Sequence, residues 1–341
     1  MSINPRIAAG AGAAVLVVVV ALFLFGGGAG GGLPLIGSPS VCPLSGVKPS
    51  DDRVLRRPAV AIKVENNPAA YPLSGLDHAE IVYEELVEGG LTRFMALYHC
   101  TDSATVGPVR STRVVDPAIM TPATKILAGA GGNAIVRKAL KEHDIVLIDE
   151  PTAGNAMRRI ARAGVASEHT LYGDTQGLRK IGSKKYDNPP PSALEFGSVP
   201  PGAKKATHVA VNFGGSSTIT YDYKGGKWLR SDDGEPLVME NGKQIAVDNV
   251  VIERHTINFS KKIVDVAGNP STEIADVTGK GKALLFRDGK VVTGTWERDS
   301  IEGEVVFKTS SGDDMALHPG ATWIELAPDG TGEITGTVSY E

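Results

Sequence analysis

The feature that most constrains this chain comes at its beginning. From Ile7 to Phe25 run 19 residues without a charge or a proline, dominated by Ala, Val, Leu and Phe. As a helix, such a run spans roughly the 30 Å hydrocarbon core of a bilayer. Arg6 precedes it and no Lys or Arg follows before Lys48. By the positive-inside rule, the N-terminus then lies in the cytoplasm and the body outside, a single-pass protein of the cell membrane. The alternative is a signal peptide, with Gly27-Gly28-Ala29 serving a peptidase and the body secreted. Residues 1–25 are therefore read as the anchor. Residues 26–55, opened by six glycines between Gly26 and Gly32, are read as a flexible linker.

The remainder of the chain is long enough for two domains, and 42 % hydrophobic residues can supply their cores. The net charge of −4, with no basic tract, argues against nucleic acid as a partner. The partners this leaves are the cytoplasmic membrane and an anionic envelope ligand. The two cysteines, Cys42 and Cys100, lie outside the apolar run, and an even count in an oxidising compartment predicts one disulfide. Closing a loop of that length is worth roughly 4 kcal/mol in the chain-entropy model. Lipidation of Cys42 is the alternative, but Pro39-Ser40-Val41 does not fit a lipoprotein signal. The seven histidines show no metal-binding spacing, so no metal site is assigned.

Residues 56–186 alternate strand-like and helix-like segments. Ala59–Val64 reads as a buried strand, and Glu80–Val87 and Thr92–His99 as a hairpin about Gly89-Gly90. Asp116 to Ala123 and Asn133–Glu142 read as helices, the second between apolar runs at Ile126-Leu127 and Ile145–Ile148. This predicts an α/β layered domain. A Pro-rich linker at 187–204 leads to a mostly β domain over 205–341. Its hairpin signals are Asp288-Gly289 and the turn before Trp228, and a last strand is placed near Gly332–Val338. The three tryptophans of this domain, Trp228, Trp296 and Trp323, are assigned to the core. Arg158, Arg159 and Arg162 are read as one solvated face at helical spacing.

The densest polar constellation is Tyr83-Glu84-Glu85-Leu86-Val87-Glu88-Gly89-Gly90-Leu91-Thr92-Arg93-Phe94 with Gly107-Pro108-Val109-Arg110-Ser111-Thr112-Arg113. Strand alternation puts Glu85 on one face and Glu84 and Glu88 on the other, so whichever face is buried carries a carboxylate that needs a partner. Arg93, Arg110 and Arg113 supply guanidinium forks that suit carboxylate or phosphate. Two readings are open: an ion-pair network that fixes the fold, or an anion site at which the arginines converge with Ser111 and at least one glutamate. His169 is added as a candidate because a loop histidine can move protons near neutral pH. No catalytic residue is assigned.

These same segments, with Arg57-Pro58-Ala59-Val60-Ala61-Ile62, Glu168-His169-Thr170-Leu171-Tyr172 and Pro319-Gly320-Ala321-Thr322-Trp323-Ile324, resemble the YerB-type lipoproteins. That bacterial family has distinct N- and C-terminal domains and no known function. The resemblance implies an envelope address and a two-domain architecture rather than an activity. A fainter likeness, carried by Arg93, Arg110 and Gly131-Gly132, is to the LytR–CpsA–Psr phosphotransferases. It implies an enzyme acting on pyrophosphate-linked envelope precursors. It departs from that pattern at Phe94 and Ser111, where acidic residues are expected, and would need Mg²⁺ held by Glu84, Glu85 or Glu88.

Overall fold

The computed structural model describes residues 40–341 apart from 193, 216, 266 and 267. The predicted anchor lies outside the described residues, and among those described no helix is long and apolar enough to cross a membrane.

The N-terminal segment supplies β1 (Val60–Asn66), β2 (Ile81–Leu86), β3 (Thr92–Tyr98), β4 (Ile126–Ala128) and β5 (Val146–Ile148), with helices α1 (Asp116–Met120) and α2 (Ala134–Glu142). β2 and β3 form the expected antiparallel hairpin, turned by Gly89 and Gly90, both at positive φ. Asn133 caps α2 by accepting the Val136 amide at 3.0 Å. The C-terminal segment is almost entirely strand. Asp288 and Gly289 both take the positive φ that a type I′ turn requires.

The two segments differ in composition as expected, yet they share one 11-stranded sheet. From one edge its order is Val306–Thr309, Lys290–Arg298, Gly279–Arg287, Asn249–His255, Thr322–Pro328, then β2, β3, β1, β4 and β5, with the eleventh strand, Lys204–Lys205, pairing off this path with Lys290–Arg298. The junction is parallel: Thr322–Pro328 pairs with β2 on one side and Asn249–His255 on the other. Every residue of β1, β2 and Thr322–Pro328 is buried. Central strands covered on both faces read as unbroken apolar runs rather than alternating ones.

Each face has its own core, and both cores cross the boundary between segments. On one face a six-stranded sheet that includes His208–Asn212, Thr218–Lys224 and Lys227–Asp232 packs Val211, Tyr221 and Trp228 against Ile62, Phe94 and Trp323. On the other, α1 and α2 pack Ile119, Val136 and Leu140 against Ala61, Tyr83 and Leu97. All three tryptophans are buried.

Four expectations need correction. The predicted linker is structured well before residue 55: Cys42 and Leu44 are buried, and Asp51 caps a short helical turn, Asp52–Arg56. The Cys42–Cys100 disulfide is present and ties this stretch to the end of β3. Arg158 and Arg159 sit on a strand, Met157–Arg159, and not a helix. Arg162 donates to the carbonyls of Ala70, Pro72 and His169, so it fastens loops. The last strand is Thr337–Tyr340, because the residues after Asp329-Gly330 first cross to pair Ile334 with Ile257.

Candidate anion-binding cleft

Strand register places the first polar groups. Glu65 on β1 and Glu85 on β2 both lie opposite Arg93 on β3, so the three share the face covered by α1 and α2. Lys63 lies two residues before Glu65 on that face. After β3 the chain returns alongside β1: Val109 bridges Val64, the Glu65 amide donates to the Pro108 carbonyl at 3.0 Å, and the Arg110 amide to the Lys63 carbonyl at 2.9 Å. This return carries Arg110 to the Glu65 end of the sheet. Ser111 to Arg113 then cross toward Gly131, whose carbonyl accepts from the Thr112 amide at 2.8 Å. At Gly132 an added Cβ would meet the Thr112 hydroxyl at 2.6 Å, so only glycine allows this approach.

The result is a cleft of about 470 Å³. Arg93, Arg110, Ser111, Arg113, Glu65, Glu88 and Asn133 line it, together with Asp265 and the apolar Val87, Leu91, Val136, Ile263 and Val264. The arginines are unequally committed. Arg113 is ion-paired to Glu88 and donates to the carbonyls of Ser111 at 3.1 Å and Thr112 at 2.9 Å. Arg110 spends only Nε on Glu65, at 2.8 Å. Arg93 has one bond, to the Ser111 carbonyl at 3.2 Å, and no carboxylate at ion-pair distance among the described residues. Its other two nitrogens, and both terminal nitrogens of Arg110, have no hydrogen-bond partner among the described residues.

The electrostatics reflect this imbalance. Burial, then the charges of Arg113 and Arg110, push Arg93 down to about 10 against the partial compensation of Glu88 and Glu65. Burial would raise Glu88, but the Arg113 guanidinium paired with it holds it below the usual range. Arg93 thus remains a cation whose charge the protein leaves under-compensated.

Five of the predicted residues, Glu88, Arg93, Arg110, Ser111 and Arg113, line one cleft. His169 is buried beside it, its Nδ1 2.7 Å from Glu65 Oε2. Glu85 and Glu84 are placed elsewhere, a correction to the expected arginine partners. Glu85 is paired with the fully buried Lys63, which also holds Asp116 at 2.7 Å. Burial pushes Glu85 up to about 7 despite Lys63. Glu84 points through the opposite face to Arg230, at 2.8 Å. Both faces of β2 are buried, so each carboxylate takes the cation on its own side.

Two contributors were missed. Lys63 within an apolar strand was a signal, since a buried lysine demands carboxylates. Glu65 lay one position beyond the predicted end of that strand. As for Mg²⁺, Glu84, Glu85 and Glu88 are each matched to a cation and offer no free hard-oxygen cluster. Among the described residues the one grouping of metal-ligating side chains is Cys42, Glu80 and Cys100, where both sulfurs are in the disulfide.

Comparison with known proteins supplies the remaining findings. Residues 44–188 match the family described as "Protein of unknown function (DUF3048) N-terminal domain", and residues 209–324 match the corresponding C-terminal domain. The chain is 30% identical over 298 residues to "Putative lipoprotein YerB" of Bacillus subtilis (strain 168), covering 84% of this chain and 86% of that protein. The crystal structure of the YerB protein from Bacillus subtilis superposes with a TM-score of 0.71 at 27% identity, covering 88% of this chain and 99% of that one. None of these matches supports the likeness to the LytR–CpsA–Psr phosphotransferases.

Proposed function

The chain belongs to the DUF3048 family of two-domain proteins, and from that premise we propose that it is an anion-binding protein of the cell envelope whose ligand carries a phosphate. The observation that carries this reading is the set of unused donors on Arg93 and Arg110 facing a cleft. A fold-stabilising network would have consumed them, as Lys63 is consumed by Glu85 and Asp116. Tetrahedral oxyanions accept several such donors at once, and the Asn133 end of α2 adds the positive pole of a helix beside them. The envelope address rests on the apolar run at 7–25, on the disulfide, and on the lipoprotein name of the relative. A reporter that works only in the cytoplasm, fused after Glu341, should be inactive. Its activity would overturn this address.

The test of binding is titration of the full chain with inorganic phosphate and pyrophosphate. Arg110→Ala should weaken binding by about 1.5–3 kcal/mol, the scale of a charge-assisted hydrogen bond, with affinity falling as salt rises. Its melting temperature should fall only modestly, since Arg110 is partly exposed and the Glu65 carboxylate it leaves keeps its bond with His169. Binding unchanged in Arg110→Ala would remove this residue from the site. One observation favours the enzymatic alternative: Glu65 orients His169 as a carboxylate orients a general base. Release of phosphate from a pyrophosphate ester, abolished by His169→Gln while binding persists, would establish that alternative.

A further inference from the structure

We propose that the ligand is an amphiphile, a phosphate headgroup carried on an apolar chain, with the chain leaving the cleft between Leu91 and Val264. This rests on the anion-binding reading above and specifies its ligand class. The lining of the cleft is of two kinds. It combines the guanidiniums of Arg93 and Arg110 with the apolar side chains of Val87, Val136 and Ile263. That apolar lining does not stop at the cavity. It continues to the mouth as Leu91, 39% exposed, and Val264, 60% exposed. Isolated apolar side chains on a surface need no explanation. These two belong to different elements, the β2–β3 turn and a hairpin arm (Ile257–Val264 with Pro270–Ile274), and meet at one cavity.

The arm is fixed against the large sheet rather than free. Thr272 Oγ1 donates to the Leu86 carbonyl, at the end of β2. Ile257, at the base of the arm, is buried and bridges Ile334. A free inorganic anion gains nothing from such a wall, and a purely apolar ligand would leave the unused guanidinium donors desolvated and unpaired. A phosphate on an acyl or prenyl chain satisfies both kinds of lining, each methylene removed from water adding about fourfold in affinity. The arm continues the theme outside the cleft, where Phe259 is 47% exposed beside exposed Lys261 and Lys262. Aromatic and lysine side chains together suit the headgroup region of a membrane.

The test uses the full chain in detergent, titrated calorimetrically with dioctanoyl phosphatidic acid, inorganic phosphate and dioctanoylglycerol. Phosphatidic acid should bind at least about tenfold more tightly than phosphate, and dioctanoylglycerol should not bind measurably. The double variant Leu91→Ser/Val264→Ser, both at exposed positions, should lose that advantage, read as the ratio of its affinities for phosphatidic acid and phosphate. Arg93→Gln should weaken both anions together. Equal affinities for phosphatidic acid and phosphate, or a double variant that still prefers the lipid, would overturn the amphiphile and leave the anion site standing. Wild-type protein that binds neither anion would overturn both.

Discussion

On one face of β1–β3 a single guanidinium, Arg230, meets three carboxylates, whereas on the other face three guanidiniums share Glu65 and Glu88 and border an open cleft. The first cluster is closed. Arg230 pairs with Glu84 and Asp232, each at 2.8 Å, and approaches Glu325 at 3.6 Å, with Phe94, Tyr221 and Trp323 around its plane. Burial first, then the neighbouring Glu84, hold Glu325 well above the usual carboxylate range, which opposes an excess of negative charge there. The second cluster keeps its excess charge and its spare donors at a cavity. The enclosed cation is spent on buried carboxylates, whereas the cations at the cleft keep donors that face a cavity.

The largest expected effect separates the clusters by stability. Arg230→Met should cost about 3–5 kcal/mol in urea unfolding, because it strands buried carboxylates. Arg93→Met, which removes a cation without a carboxylate partner, should change stability by less than about 1 kcal/mol. Equal losses would mean that the cleft is as structural as the closed cluster.

Next in size is a pH effect beneath the cleft. Glu85 titrates at about 7 in the fold against an unfolded value near 4.5. The folded state therefore binds the proton more tightly. The resulting stability is fully present below pH 4.5 and is lost as pH rises through 7, a change on the order of 3 kcal/mol. Unfolding midpoints at pH 5 and 8 should show this slope in wild type, and Glu85→Gln should flatten it.

The smallest effect tests the boundary between clusters. Thr92 lines the cleft, yet its hydroxyl donates to Glu84 Oε1 at 2.5 Å in the closed cluster. Thr92→Val should lose about 1–2 kcal/mol of stability and leave phosphate affinity unchanged. A change in affinity would show that the two clusters are coupled through this residue.

Much of this was legible before any coordinates. The hairpin at Gly89-Gly90, the capped helix at Asn133 and the turn at Asp288-Gly289 each carry their local chemistry in a few adjacent residues. The meeting of Arg93 with Arg110 and Arg113 was legible as spare cationic capacity beside glycine-rich turns. The partners of Glu84 and Glu85 were not. Arg230 is 146 positions from Glu84, and pairing at that separation depends on how two sheets stack, which local pattern does not encode. The shared sheet was hidden for the same reason: β2 and Thr322–Pro328 are both apolar runs, and nothing in either names the other.

That central parallel pairing bears on how the protein comes into being. Ile81 waits for Thr322, about 240 positions later, so the middle of the largest sheet cannot close until nearly the whole polypeptide has been synthesised. Until then β2 has an unpaired edge, and contacts this distant in sequence form slowly. Loss of only the last twenty residues would open the sheet at its centre rather than trim its margin, leaving a long apolar strand exposed to aggregation or proteolysis.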